Sequence, residues 1–284
     1  MRAPPLASGN VKLQDALLRL AKGGPEREAI DAGEIDAVID YASSNVILLP
    51  AARRALRQVG NEASIANRLL AALPHAEYLR LLPCLEPLTL RPGEVIHEAQ
   101  APIRYVYFPV DCLVCLLAPG DDSRALEVGL VGREGMVGIS LALGIDVSSV
   151  RAIVQESGTA MRMKAALFEQ AFRQCPQLQR DLYRYADTSL ALARLLVACN
   201  RFHSIASRLA RWLLMASDRV ITRDLSLTQA SLAELLGVRR ATINQAITPF
   251  QSRNLIRYSR GKIRILDRKR LEAEACTCYR PART

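Results

Sequence analysis

Five polar side chains that could hydrogen-bond to the edges of DNA bases stand close together in the last quarter of the chain. They lie between positions 239 and 245 of the 284 residues: Arg239, Arg240, Thr242, Asn244 and Gln245. In the major groove, arginine pairs with guanine, and asparagine or glutamine pairs with adenine. If one helix carries all five, this spacing predicts base recognition in double-stranded DNA.

The segment around these residues has the pattern of a helix-turn-helix. Thr228 is a good N-cap, and the apolar residues that follow it as far as Leu236 recur with a helical period. Gly237 supplies the left-handed residue that ends a helix, and a second helix opens at Arg239. The residues that this second helix would bury are Ile243, Ala246 and Ile247. An ordinary helical hairpin would show the same apolar pattern, so the charge of the segment is needed to choose between the two.

The positive charge of the chain is concentrated around the predicted helix-turn-helix. The whole chain carries a net charge of +10. Residues 201–284 hold 17 Lys and Arg against 6 Asp and Glu, whereas residues 1–200 hold 21 against 22. A basic face of this kind neutralises phosphates and gives an affinity for DNA that falls with salt. The C-terminal part is therefore predicted to bind DNA.

A basic β-hairpin is predicted directly after the second helix. Leu255 and Ile256, followed by Ile263 and Ile265, are typical of two short strands around a turn at residues 259–262. A hairpin beside a recognition helix is a wing that can reach the DNA backbone. The residues predicted to contact phosphates are Thr228 and Gln229 at the start of the first helix and Arg257, Arg260 and Lys262 on the wing.

The middle of the chain favours short strands. Apolar segments recur between Pro83 and about Met163, and turn signals such as R-P-G-E at 91–94 and A-P-G-D-D at 118–122 separate them. The predicted strands are 88–90, 95–97, 105–108, 112–117, 125–131 and 152–155. Closely spaced strands with this punctuation predict a small antiparallel β-barrel or jelly roll. The chain as a whole is therefore predicted to be an α+β protein.

A helical stretch between the strands and the basic region carries an apolar seam. Its members alternate spacings of four and three residues: Leu178, Leu182, Tyr185, Ser189, Leu192, Leu196 and Cys199. This heptad spacing is typical of a coiled coil, and a dimer would let two helix-turn-helices read two half-sites. The seam predicts a homodimer on a twofold-symmetric operator. The alternative is a helix that packs this stripe against its own barrel.

The order of these parts resembles that of the Crp/Fnr transcriptional regulators. The likeness covers about residues 67–278 and is most specific in N-R-F-H-S-I-A-S-R-L-A-R-W-L-L (200–214) and L-L-G-V-R-R-A-T-I-N-Q (235–245). R-P-G-E-V-I adds to it in the barrel. The resemblance implies a cyclic-nucleotide-binding-type sensor barrel, a dimerisation helix, a C-terminal winged helix-turn-helix and RNA polymerase as a partner. It also puts Arg240 where the family has a guanine-reading arginine, and Ala241 where cyclic-AMP-type members have a glutamate.

The barrel departs from the cyclic-AMP-binding members of that family. Those members hold the ribose with the glutamate of a Gly-Glu-Leu step and the cyclic phosphate with an arginine further along the chain. Here Ile139 stands where the carboxylate would be, Ser149 stands where the arginine would be, and Arg151 lies nearby. Because an anionic phosphate needs a fixed cation, we expect an effector other than cyclic AMP. Arg151 is a weak candidate for contact with an effector.

No metal or cofactor is predicted from the sequence. Cys112 and Cys115 are three residues apart in a predicted strand, so their side chains face opposite sides and are expected to lie in the core. Cys276 and Cys278 near the end of the chain could bind a metal together or form an exposed redox pair, but two ligands alone make a weak site. The three histidines are isolated in sequence. The sequence shows no nucleophile paired with a base and no phosphate-cradling glycine loop. The chain is therefore predicted not to be an enzyme.

Residues 1–62 lie outside the resemblance and are predicted to be a helical extension, with elements at 11–20, 32–40 and 49–59. The other predicted boundaries are a barrel at 63–165, a dimerisation helix region at 166–200 and a winged helix-turn-helix at 201–284. No apolar run approaches the ~20 residues that span a bilayer, and the N-terminus lacks the apolar core of a signal peptide. The expected location is the cytoplasm, without a membrane partner. Two other functions stay open: a small-molecule binding protein built on the barrel, and a regulator that acts through protein contacts of residues 1–62.

Overall fold

The structure, a computed structural model, describes residues 37–40, 45–48, 67–120, 125–220, 222 and 224–280. The chain divides into two compact units, residues 1–62 and residues 63–284. The helices predicted at 11–20 and 49–59 lie outside the described residues.

In the first unit, strand β1 (Ala37–Asp40) pairs antiparallel with strand β2 (Asn45–Leu48). The helical element predicted at 32–40 is therefore wrong at residues 37–40. Val38 and Ile39 are β-branched, and such residues lose side-chain freedom in a helix and fit a strand better.

Seven strands in two antiparallel sheets form the sheet domain (residues 86–164). The strands are β3 (Glu86–Leu90), β4 (Val95–His97), β5 (Tyr105–Pro109), β6 (Leu113–Pro119), β7 (Ala125–Val131), β8 (Arg151–Glu156) and β9 (Gly158–Lys164). One sheet has the order β3-β9-β5 and the other has the order β4-β8-β6-β7. The predicted antiparallel jelly roll is confirmed, although the two sheets do not close into one barrel. Strand β9 was absent from the prediction because Thr159, Arg162 and Lys164 break up its apolar pattern.

Side chains from both sheets fill the space between them. Tyr107 of β5 packs with Val114 of β6, Val131 of β7 and Ala152 of β8 in one buried cluster. Alternate residues of a strand point to opposite faces of its sheet. The neighbours of these residues therefore face away from the space between the two sheets. The interior of the sheet domain is thus a packed apolar core.

Eight helices are described outside residues 1–62. They are α1 (Arg68–Ala71), α2 (His75–Leu81), α3 (Ala165–Gln174), α4 (Pro176–Phe202), α5 (Ile205–Arg219), α6 (Gln229–Leu235), α7 (Arg240–Ser252) and α8 (Arg268–Glu274). A three-stranded sheet of β10 (Asp224–Ser226), β11 (Ile256–Ser259) and β12 (Lys262–Ile265) accompanies α5 to α8 in the C-terminal domain (residues 205–280). None of the helices in the described ranges is long and apolar enough to cross a membrane.

The predicted dimer seam on α4 is covered by the chain itself. Four of its residues have at most 5% of their surface exposed: Leu178, Leu182, Leu196 and Cys199. Leu178 and Leu182 belong to the core that also holds α1, α2 and β5. The prediction that these four residues form an interface between two protomers is therefore wrong. The stripe packs on its own chain.

The other three seam residues lie beside a cavity. Tyr185, Ser189 and Leu192 line a space of about 370 Å³ between α4 and β7. The hydroxyl of Ser189 donates a hydrogen bond to the carbonyl oxygen of Tyr185 at 2.8 Å, so it needs no partner on a second helix. The polar centre of the predicted seam is thus satisfied within α4.

Candidate nucleic-acid interface

The helix-turn-helix is built by a capped first helix and a left-handed turn. At the start of α6, Thr228 Oγ1 accepts from the amide of Ser231 at 3.0 Å, and Ser231 Oγ accepts from the amide of Thr228 at 3.0 Å. This reciprocal capping box fixes where α6 begins. Gly237 has φ of +64° after α6, a conformation that costs a residue with a Cβ. Both features agree with the sequence prediction.

Helix α7 separates a buried face from a polar face. Ile243, Ala246, Ile247 and Phe250 are buried against the rest of the C-terminal domain. The opposite face holds the residues predicted to read bases: Arg239, Arg240, Asn244 and Gln245 are exposed, and Thr242 is half-buried. The structure thus brings all five to the N-terminal half of one helix, with Arg239 as its N-cap.

A small polar network links this face to the start of α6. Gln229 Nε2 donates to Asn244 Oδ1 at 3.2 Å, and Arg240 Nε donates to Gln229 Oε1 at 3.4 Å. All three side chains are accessible, so each can exchange its partner for a base or a phosphate. Gln229 therefore links the start of α6 to two of the exposed polar residues of α7.

The wing is a β-hairpin with a tight turn. Strands β11 and β12 pair antiparallel from Ile256–Ile265 to Ser259–Lys262, and Arg260 and Gly261 both have positive φ. Two such residues form the type I′ turn that suits hairpin twist.

The side chains of Arg257, Arg260 and Lys262 are exposed on the wing, and none forms an ion pair with another residue in the part of the chain that the structure describes. Arg264 beside them is paired with Asp224 through two bonds of 2.6 Å. The wing therefore carries three exposed cations.

The sequence does not predict the contacts that join the sheet domain to the C-terminal domain. Trp212 of α5 donates its indole N–H to Glu127 of β7. Arg219 at the end of α5 forms an ion pair with Glu134 at 2.7 Å, and both side chains are largely buried. The sign of these contacts in the sequence is only a tryptophan and carboxylates in otherwise apolar stretches. The residues of each pair stand 85 positions apart, so their contact depends on the fold.

Glu127 is fully buried among cations at this junction. Loss of hydration on burial raises its pKa to about 7, although the hydrogen bond from Trp212 and the charges of Arg211, Arg219 and Arg208 favour the ionised form. Glu127 therefore holds its proton at a pH where an ordinary glutamate has lost it.

Comparison with known proteins agrees with this geometry. Residues 207–274 match the family model described as a Crp-like helix-turn-helix domain. A CRP-like cAMP-activated global transcriptional regulator from Mycobacterium tuberculosis is 25% identical over 201 residues, which cover 67% of this chain and 88% of the relative.

Two solved structures share the fold. A regulator of the Crp/Fnr family from Eubacterium rectale is 20% identical with a TM-score of 0.57, over 74% of this chain and 98% of the other. A CRP/FNR-family regulator from Thermus thermophilus is 24% identical with a TM-score of 0.54, over 67% and 98%. Residues 207–274 thus form a Crp-like helix-turn-helix domain, and the chain is similar to a CRP-like transcriptional regulator over 67% of its length. The helix-turn-helix and the antiparallel sheet domain are as the sequence predicted.

Arg151 is poorly placed to hold an effector inside the sheet domain. Its neighbour Ala152 points into the packed space between the sheets, so Arg151 points outward. Arg151 pairs with Glu98 at 3.2 Å, and both side chains are well exposed. Ile139 packs at the edge of the core shared with α3 and α4. Neither residue therefore offers a polar group to the interior.

The cysteines of the chain fall into two groups. Cys112, which directly precedes β6, and Cys115 of β6 are fully buried in different core clusters, so both lie in the core as predicted. Cys276 and Cys278 are also buried and lie against Cys199. Little in the sequence points to this second cluster, since Cys199 stands 77 residues before Cys276.

Proposed function

We propose that this chain is a Crp/Fnr-type transcriptional regulator, a homodimer that binds a twofold-symmetric DNA operator in a sequence-specific way. The observation that supports this most is the exposed polar face of α7, with two arginines, an asparagine and a glutamine beside a cationic wing. Such a face can combine base recognition with phosphate contacts. RNA polymerase is the partner that we propose for control of transcription, and the cytoplasm is the proposed location.

A second apolar stripe on α4 supports the dimer. Tyr183, Leu190 and Val197 are seven residues apart, and they are 50%, 49% and 72% exposed. Ala186 and Ala193 stand between them, so the spacings alternate three and four. An exposed apolar stripe with heptad spacing is the pattern of a coiled-coil seam. We therefore propose this stripe as the dimer interface, in place of the buried one.

The test of the proposed function is selection of bound fragments from genomic or random DNA by the full-length protein. We expect enrichment of sequences with twofold symmetry and half-sites about one helical turn apart. The affinity should fall steeply as salt rises, since phosphate contacts release counterions. Recovery of fragments without a shared sequence would contradict the proposal.

Replacing Arg240 with alanine should relax sequence preference at one base position. A bidentate arginine–guanine contact is the commonest specific contact in the major groove, and its loss should cost about 1–3 kcal/mol on the specific site. Binding to specific and scrambled DNA is measured by titration for the parent and for Arg240→Ala.

The matched control is Arg253→Ala. Arg253 caps the far end of the same helix and pairs with Glu274 at 2.6 Å. The Arg253→Ala variant removes the same charge as Arg240→Ala but should leave the base preference unchanged. An Arg240→Ala protein with the parental preference would show that Arg240 does not read a base.

Cyclic AMP and cyclic GMP are expected to leave the melting temperature and the operator affinity unchanged. Ile139 and Arg151 offer no carboxylate or inward cation for a cyclic nucleotide, and the relative's printed activation by cAMP does not carry over at 25% identity. A ligand at a hundredfold over its dissociation constant would add about 2.7 kcal/mol to the free energy of unfolding, so binding would be easy to see. Calorimetric binding that disappears in Arg151→Ala would overturn this expectation.

The cavity beside α4 is the place that we propose for an effector of another kind. Its lining includes Tyr185, Glu134 and Arg219 as well as apolar residues of β7. A molecule there would touch the sheet domain, the dimerisation helix and α5 together. Its occupancy could therefore change how the C-terminal domains are held.

A further inference from the structure

Four side chains with metal-binding atoms converge where α4 meets the end of the chain. They are Cys199, His203, Cys276 and Cys278, and one ligand atom from each lies within 4.8 Å of the other three. Three thiols and an imidazole are a ligand set that structural zinc sites use. Nothing in the DNA-binding function of the chain accounts for this convergence.

Two short elements position the four ligands. Cys199 and His203 are one helical turn apart at the end of α4, where the amide of His203 donates to the carbonyl oxygen of Cys199 at 3.1 Å. Cys276 caps the 3₁₀ turn Thr277–Tyr279, in which the amide of Tyr279 donates to the carbonyl oxygen of Cys276 at 3.0 Å. The turn places Cys278 beside His203.

The tail that carries Cys276 and Cys278 is held in place by other contacts. Tyr279 is buried, and its hydroxyl donates to Asp218 Oδ2 at 2.8 Å and accepts from Arg268 at 2.5 Å. Arg268 pairs with Asp218 at 2.5 Å. Because the backbone around the thiols is fixed in this way, the ligands are preorganised.

The spacing of the ligand atoms fits a single tetrahedral ion. Cys199 Sγ is 3.5 Å from Cys276 Sγ, and Cys278 Sγ is 3.6 Å from His203 Nδ1. With Zn–S of about 2.3 Å and Zn–N of about 2.0–2.1 Å, the edges of a tetrahedron are roughly 3.5–3.8 Å. A disulfide would bring two sulfurs to about 2.05 Å, so the sulfurs of Cys199 and Cys276 are in contact but not bonded.

We propose that Cys199, His203, Cys276 and Cys278 bind one Zn²⁺ in a closed Cys₃His site. The three cysteines are 0%, 8% and 5% exposed, as a structural site requires, whereas half-buried His203 leaves an entry path. Three thiolates and Zn²⁺ carry a net charge of −1. The buried guanidinium groups of Arg208 and Arg211 interact electrostatically with these thiols and would balance that charge.

The site would fasten the dimerisation helix to the C-terminal domain. Arg208 donates to the carbonyl oxygen of Leu236 at 2.7 Å, where α6 ends before the turn of the helix-turn-helix. Arg208 therefore interacts electrostatically with the thiols and bonds to the DNA-binding motif. Zinc is expected to raise the melting temperature of the folded chain, since the unfolded chain lacks a preformed site.

The experiment measures metal content and cobalt spectra of the full-length protein. The parent, purified under reducing conditions, should carry about one zinc per protomer. After removal of zinc by a chelator with reductant present, Co²⁺ should give the intense visible bands of a tetrahedral ion and a thiolate-to-cobalt charge-transfer band. Both signals should disappear in Cys278→Ser and persist in Cys84→Ser, which changes a half-buried cysteine outside the cluster.

A second variant covers the case in which Cys278→Ser fails to fold. His203→Cys keeps four ligands, so it should retain zinc and shift the cobalt bands toward those of a Cys₄ site. A merely structural role for these side chains would not produce that spectral shift.

Three results would overturn the proposal. One is a reduced parent that takes up neither zinc nor cobalt. Another is a disulfide between Cys199 and Cys276 that persists in reducing buffer with zinc. The last is anaerobically purified protein that contains iron and sulfide at this site, which would replace the single ion with a cluster.

Discussion

Replacing Leu190 with glutamate is expected to convert the proposed dimer into monomers and to abolish binding to a twofold operator. Leu190 is the centre of the exposed stripe of α4, and symmetry would bring two new carboxylates together in a dry seam. A buried charge without a partner typically costs several kcal/mol, which exceeds what a short seam can offset. Sedimentation measures the state of assembly, and titration with operator DNA measures the loss of binding.

The matched control for the dimer is Ala191→Glu. Ala191 is exposed on α4, but it lies about a quarter of a turn or more from the stripe because each residue advances the helix by about 100°. The same charge there should leave the dimer and operator binding intact. A Leu190→Glu protein that sediments as a dimer would place the interface elsewhere.

The incorrect prediction of the dimer seam on α4 shows what sequence periodicity cannot decide. Helix α4 carries two apolar stripes with the same alternation of three and four residues, one through Leu182 and Leu196 and one through Leu190 and Val197. Heptad spacing shows that a stripe is covered but does not show by which chain. The bulkier stripe is predicted as the dimer seam, whereas the structure buries Leu182 in the core with α1, α2 and β5 and leaves Leu196 only 5% exposed.

The helix-turn-helix was predictable because its signals are local. Thr228, Gly237 and the apolar residues between them define helix ends and a turn within a few residues of one another, and the charged face of α7 follows directly. The wing could be predicted for the same reason, from β-branched residues on either side of Gly261. Local capping and turn chemistry outweigh tertiary effects in such short motifs.

The thiol cluster and the junction between domains could not be predicted in this way. Cys199 and Cys276 are 77 residues apart, and Trp212 and Glu127 are 85 apart. Each pair meets only because α5 packs against both the sheet domain and the end of the chain. Side chains that look isolated in sequence, such as His203, gain their partners from that packing.

Glu127 is expected to make the stability of the regulator fall as pH rises from about 4.5 to about 7. Burial raises the pKa of this carboxyl to about 7, whereas an unfolded glutamic acid titrates near ~4.3. Between these values the folded chain binds more protons than the unfolded chain, so the free energy of unfolding falls with increasing pH. At about 1.4 kcal/mol for each pKa unit, the loss is roughly 4 kcal/mol.

Glu127→Gln should remove this slope and keep an acceptor for the indole N–H of Trp212. Urea unfolding of the parent and the variant is measured from pH 5 to pH 8, and the difference between them isolates Glu127 from other titrating groups. The control Glu98→Gln changes an exposed carboxylate and should follow the parent. Parallel curves for parent and Glu127→Gln would mean that Glu127 stays ionised, held by Arg208, Arg211 and Arg219. A difference that grows up to about pH 7 and then levels off would mean that the proton on Glu127 stabilises the contact between β7 and α5.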